Sequence, residues 1–226
     1  MKQHLFLLLI FRDEYMEDQR LQEIATASVL HIGLIVDSSS VKEFYVLLQA
    51  GFVIKCLVGT SIENLLYDQL KLNPQLVEEK ISTIFLSGKP VDDIAAATLQ
   101  DGSTLALSGA MPGLVGATLR RKSPLASFRQ SISAHRDSKN FKQTEGHIQI
   151  KLFNILLEEL GTFFLGKGIF IQKVMFAAFV EQLADGFYDK FRKILINNKP
   201  MELRSSAEWF SLIVNNDFVH LKVLTE

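Results

Sequence analysis

The sequence is poor in the residues that staple or metallate small proteins. Cys56 is the only cysteine among 226 residues, so no intramolecular disulfide can form and a disulfide-framed secreted fold is excluded. The five histidines, at positions 4, 31, 135, 147 and 220, have no ligand spacing, and with one cysteine they make no structural zinc motif. Long hydrophobic runs are missing too: no stretch approaches the roughly 20 apolar residues that cross a bilayer. Residues 5–11 (LFLLLIF) follow Lys2 like a signal-peptide core, but the run is short and meets Arg12, Asp13 and Glu14 without a small-residue cleavage site. These absences predict a cytoplasmic protein with no membrane contact. An excess of one charge is also lacking, with 24 basic and 25 acidic residues giving a net charge of −1, which removes the general case for a nucleic-acid binder. A hydrophobic content of 48% excludes a disordered chain, and the length allows one large or two small domains.

The small net charge is a cancellation. Residues 120–142 carry seven basic side chains against the single acid Asp137, a net +6, so the remainder carries −7. The stretch also holds Ser123, Pro124, Ser127, Ser131, Ser133 and Ser138 without sustained periodicity, the composition of a linker. Only Phe128 and Phe141 lie within it as stacking platforms, so nucleic acid is expected only through this strap. The division predicted is an N-terminal extension 1–40, a domain 41–119, a basic linker 120–145 and a second domain 146–226.

The two halves repeat one another. IFLSGKPVD at 84–92 and ILINNKPME at 194–202 both read as an apolar strand, a two-residue turn and a return strand. Ser-Gly and Asn-Asn tolerate the positive φ of a tight turn, and proline places Lys-Pro outside the buried part of a strand. Upstream of the first hairpin come an alternating segment 52–57 and a helix signal in which Thr60 and Glu63 have capping-box spacing, followed by Ile62, Leu65, Leu66 and Leu70 on one face. Upstream of the second lie a strand 169–171 and a helix with Phe176, Phe179, Val180, Leu183 and Phe187 at helical spacing. Each half closes with a turn and a strand, Asp101-Gly102 before 103–107 and Asn215-Asn216-Asp217 before 218–223. For the opening strands, His147 to Phe153 alternates well with a short helix after it, whereas Phe44 to Leu48 fits either a strand or a helix ending at Gly51. Residues 1–40 fit neither copy; 18–27 reads as helix and 29–36 as strand. This order predicts an α+β protein of two tandem β-grasp (ubiquitin-like) domains joined by a basic linker.

IFLSGKPVDD at 84–93, DGSTLAL at 101–107 and SGAMPG at 108–113 resemble the sulfur-carrier superfamily that includes the molybdopterin-synthase small subunit and the thiamine sulfur carrier. IQIKLF, ILINNKPMEL and DFVHLKV in the second half resemble it more loosely. The resemblance implies the β-grasp fold; its short turn and strand patterns speak to fold more than to chemistry. The family's reactive group is the carboxylate of a terminal glycine. Here Gly113 runs on into Leu114, and the second copy ends in LKVLTE with no glycine, so a carrier function requires cleavage after Gly113.

Other chemistry is sparse. Gly161 to Lys167 (GTFFLGK) approaches a phosphate-binding loop, but Gly168 replaces Ser or Thr and a strand follows where a helix is required; the segment reads as a hairpin turn. Cys56 among Ile54, Leu57 and Val58 reads as a buried, inert thiol, and His220 as a residue of a strand's solvent face. The adjacent pairs Glu78-Glu79 and Asp92-Asp93 would point to opposite faces of strands and form no acid/base pair. Gly109, Gly113 and Gly116, followed by Arg120, Arg121 and Lys122, form the one candidate interaction or anion site. The eleven phenylalanines from Phe141 onward fill a core, a domain interface or a homodimer surface. The function expected is therefore a non-catalytic interaction or adaptor protein with a protein partner and no cofactor. The alternatives are a sulfur-carrier precursor exposing Gly113 and a small-molecule or anion site at residues 109–121.

Overall fold

The computed structural model describes residues 27–121, 123–124, 142–183 and 187–226. The apolar run 5–11, the helix expected at 18–27 save its last residue, Lys122 and the strap residues 125–141 lie outside the described residues. The chain is α+β. It begins with β1 (Val29–Val36), whose Leu30, Ile32, Leu34 and Val36 alternate into the core. A 3-10 turn (Ser38–Phe44) leads to α1 (Tyr45–Ala50), so Phe44 to Leu48 takes the helical alternative. Gly51, at φ +122°, stops that helix by donating its N–H to the Leu47 carbonyl at 3.1 Å.

Next come β2 (Phe52–Val58) and α2 (Ile62–Asn64), which widens into one π turn (Leu65–Gln69). The cap differs from the Thr60–Glu63 box expected. Ser61 is the N-cap, its hydroxyl accepting from the Asn64 N–H at 3.1 Å, while the Thr60 hydroxyl donates back to the Leu57 carbonyl. The apolar face holds as expected, with Ile62, Leu65, Leu66 and Leu70 all buried. α3 (Pro74–Glu79) has proline at its first position and Asn73 as cap. Then follow β3 (Thr83–Leu86), β4 (Lys89–Pro90), β5 (Thr104–Ser108) and α4 (Gly113–Leu119).

After the strap come β6 (Thr144–Phe153), α5 (Leu156–Lys167), β7 (Ile169–Gln172) and α6 (Lys173–Gln182). β8 (Phe191–Ile196), β9 (Lys199–Pro200), α7 (Ser206–Ile213) and β10 (Phe218–Thr225) complete the chain. The segment 161–167 is therefore helix and not the expected turn. Leu156, Leu160, Phe164 and Leu165 supply a buried stripe at helical spacing that carries the helix through both glycines. Gly161 is also the point of closest packing, since a Cβ there would lie 2.4 Å from Tyr45 Cε1.

The paired hairpins are present. Ser87 and Gly88 (φ +45° and +75°) and Asn197 and Asn198 (φ +49° and +65°) are left-handed at both central positions, the type I′ signature of two-residue hairpins. Pro200 is exposed as expected. Pro90 is buried, because it pairs with Phe85 at the base of a hairpin that Val91 ties back to Ile84.

Two compact units result, and the second joins two separate stretches of the chain. Among the described residues, the first comprises 54–156 and the second 27–53 with 157–226. In the first unit β3 pairs antiparallel with β4 and β5, β5 runs parallel to β6, and β6 neighbours β2. In the second, β8 pairs antiparallel with β9 and β1, β1 runs parallel to β10, and β10 pairs antiparallel with β7. Both thus carry a tight hairpin at one side and a parallel pair in the middle. The strand beside the hairpin is β5, the next in sequence, in the first unit; in the second it is β1, from more than 150 residues upstream.

The first unit's core includes Ile84, Leu105, Leu107, Ile148 and Ile150 of the sheet and Ile62, Leu65 and Leu66 of the helical segment, all buried. On the sheet's other face Phe85, Ala106 and Phe153 form a cluster partly covered by Leu119 of α4. The second unit absorbs many of the phenylalanines. Phe52 meets Phe164 at 5.0 Å, Phe44 meets Phe179 at 5.2 Å, and Phe176 meets Trp209 at 5.8 Å between ring centroids, separations typical of edge-to-face and tilted aromatic pairs.

Candidate functional site

The segment singled out in the sequence is used structurally in the first unit. A Cβ at Gly109 would lie 2.6 Å from Ile155 Cγ2. Gly113 has φ +81° and opens α4 behind Pro112, while a Cβ at Gly116 would lie 2.1 Å from the Met111 carbonyl oxygen. Arg120 ends α4 by donating its N–H to the Gly116 carbonyl at 3.1 Å. Arg121 is turned inward: its side chain is 5% exposed, one guanidinium N–H donates to the Ile81 carbonyl at 3.3 Å, and the group lies 3.8 Å from Glu78. Its Nε has no hydrogen-bond partner among the described residues. Glu78, itself partly exposed, also accepts from the Tyr67 hydroxyl at 3.0 Å, so the buried guanidinium joins a short network that reaches the surface. Lys122 lies outside the described residues.

The carboxylate pairs are not on strands. Glu78 and Glu79 end α3, and Asp93 in a loop accepts the N–H groups of Ala95 and Ala96. Cys56, half-buried on β2, has its thiol pushed up to about 12, first by burial and then by the nearby Asp101 charge. A thiol kept protonated at neutral pH is a poor nucleophile. Burial likewise lowers the His147 imidazole, which the Asp101 carboxylate partly opposes. Among the described residues no group of three or more His, Cys, Asp or Glu converges in a way that would hold a metal ion.

The feature that sequence reading missed is one face of the second unit's sheet. Leu30, Ile32, Leu34, Ile194, Ile196, Leu221 and Val223 are buried on one side. The alternate positions carry Val29, His31, Gly33 and Ile35 on β1, His220, Lys222 and Leu224 on β10, Phe170 on β7, and Lys193 and Leu195 on β8, all only partly buried or exposed. The four strands contain no aspartate or glutamate. At the centre of this face His31 and His220 stand in register, their Nδ1 atoms 3.2 Å apart. His220 lies on the strand's partly exposed face, as expected, and is half-buried there. The Phe170 ring lies 4.7 Å from it, and a Cβ at Gly168 would lie 2.6 Å from its Nε2. Burial, then His31 and Lys222, hold its imidazole below the ordinary histidine range. The pair is invisible in sequence because its members lie 189 residues apart and meet only through parallel pairing of β1 with β10.

Two concavities lie elsewhere. A groove of about 660 Å³ beside the β8–β9 hairpin is lined by Phe191, Arg192, Lys193, Met201 and Arg204 among others. Two of its cations are already paired, Arg192 with Asp37 at 2.8 Å and Arg204 with Glu202 at 3.0 Å. A smaller hollow of about 420 Å³ is formed by Tyr67, Lys71, Leu72 and Pro74.

No protein-family model matches the chain, and no curated protein or solved structure matches it either. Among the described residues no helix is long and apolar enough to cross a membrane.

Proposed function

We propose that the protein is a non-catalytic pair of β-grasp modules that binds another protein through the open sheet face of its second unit. The strand arrangement supports the β-grasp assignment: each unit sets a type I′ hairpin at one side of a central parallel pair, with a helix leading into the hairpin. The second unit would then be a β-grasp in which β1 fills the slot beside the hairpin.

The observation that carries the functional reading is the composition of that face. Val29, Ile35, Phe170, Leu195 and Leu224 remain partly exposed next to Lys193 and Lys222, with no acidic residue on any of the four strands. A face that mixes apolar side chains with cations suits a partner whose surface is apolar and carries carboxylates. Strand addition is the poorer route. The return strands of the two hairpins, β4 and β9, are each a Lys-Pro dipeptide, and proline offers no N–H to an added strand.

The test is quantitative affinity capture from native cells with the wild-type chain, an Ile35→Glu/Leu224→Glu double variant and a Glu79→Lys control. The reading expects proteins enriched by wild type and control to be lost from the double variant while its circular dichroism stays native. Retention of the same proteins by a folded double variant would refute it.

A further inference from the structure

The geometry points to a metal site: we propose that His31 and His220 chelate one late first-row divalent ion, of the Zn²⁺ or Ni²⁺ type, clipping β1 to β10. Two nitrogens each about 2.1 Å from one ion lie about 3.0 to 3.4 Å apart for angles between square and tetrahedral. The two Nδ1 atoms stand 3.2 Å apart, within that range, and an ion would replace the ring-to-ring hydrogen bond that this distance allows.

Both ligands are held in place by groups other than each other. The His31 backbone is fixed on both sides by Asn197, whose side-chain oxygen accepts the His31 N–H at 3.1 Å and whose own N–H donates to the His31 carbonyl at 2.8 Å. The His220 ring is confined by Gly168 and Phe170. Gly168, at φ +98°, is what lets the ring sit there. Pre-set ligands lose less freedom on binding an ion. Imidazole suits zinc and nickel better than calcium or magnesium. His31 is exposed, which leaves a path for the ion and room for water at its remaining positions. Lys222, two residues along β10 from His220, is the nearby charge that would weaken the site.

An ion bound here would bridge residues 189 positions apart. Because that juxtaposition exists only in the folded chain, metal binding would stabilise the fold. The experiment is calorimetric titration of the full chain with ZnCl₂ and with NiCl₂, together with thermal unfolding with and without each salt. The proposal expects one saturable site, a metal-dependent rise in Tm, and at least a tenfold loss of affinity in His31→Ala and in His220→Ala. His31 is exposed, so His31→Ala should keep its metal-free Tm, and His147→Gln serves as the control that retains binding. Absence of saturable binding up to millimolar metal, or binding and Tm rise unchanged in the folded His31→Ala chain, would overturn it.

Discussion

The Ser28 hydroxyl donates to a carboxylate oxygen of Asp217 at 2.7 Å, and the Ser28 backbone N–H donates to the same oxygen at 3.0 Å. These bonds join the starts of β1 and β10 and hold the Asp217 carboxyl below its ordinary range. The stability they contribute is present above the ordinary carboxylate pKa and is lost as pH falls through the lowered one. Burial acts in the same direction on His147 and His220, whose imidazoles lie below the ordinary 6.5. Protons then bind the unfolded chain first as pH falls below that value. Thermal unfolding from about pH 7 to about pH 5 should therefore show falling Tm, and a His147→Gln/His220→Gln double variant should flatten that slope. A Tm that rises on acidification would contradict it.

The helix through 161–167 is tested by its two glycines. Glycine to alanine inside a helix normally stabilises by up to about 1 kcal/mol. Gly166→Ala should do so, since its Cβ would meet nothing closer than 3.8 Å. Gly161→Ala should destabilise by about 1–3 kcal/mol, the range for overpacking, because its Cβ would strike the Tyr45 ring. Denaturant unfolding of the two variants should give opposite signs; two equal shifts would argue against α5 as described.

The hairpins were legible in the sequence because a type I′ turn imposes its requirement on two adjacent residues, and Ser87-Gly88 and Asn197-Asn198 meet it locally. The helix of Ile62, Leu65, Leu66 and Leu70 was legible for the same reason, its spacing being set by one turn of backbone. Which strand lies beside each hairpin was not. β1 offers the same alternation to any neighbour, and nothing local makes it pair with β10 and β8. The glycines of 109–116 were legible as special, and the structure supplies a packing reason at two of them, the close approach of Gly109 to Ile155 and of Gly116 to Met111. Arg121 reads in sequence as one more cation of the strap; only the fold turns it toward Ile81 and Glu78.

The turns can be improved toward a common sequence. Asn-Gly is the preferred type I′ pair, so Ser87→Asn in the first hairpin and Asn198→Gly in the second should each stabilise by a few tenths to about 1 kcal/mol. Chemical denaturation would show it as a higher midpoint at unchanged slope. A loss of stability in both would mean that the central φ values differ from those described.

Arg121→Ala should lower stability by about 1–3 kcal/mol, as removal of a buried charged donor does. It should leave the response to inorganic phosphate unchanged, because the guanidinium is occupied inside the first unit. An unaltered Tm with loss of a phosphate-induced shift would return this arginine to an anion site.

The most direct measurement of the central claim, that the second unit's open sheet face is the contact surface, is site-specific photo-crosslinking in native cells. A photoreactive residue at position 224, on that face, is predicted to give a discrete adduct with a second protein, while the same residue at position 79, on α3, gives none. No adduct from position 224, or the same adduct from both, would contradict the account.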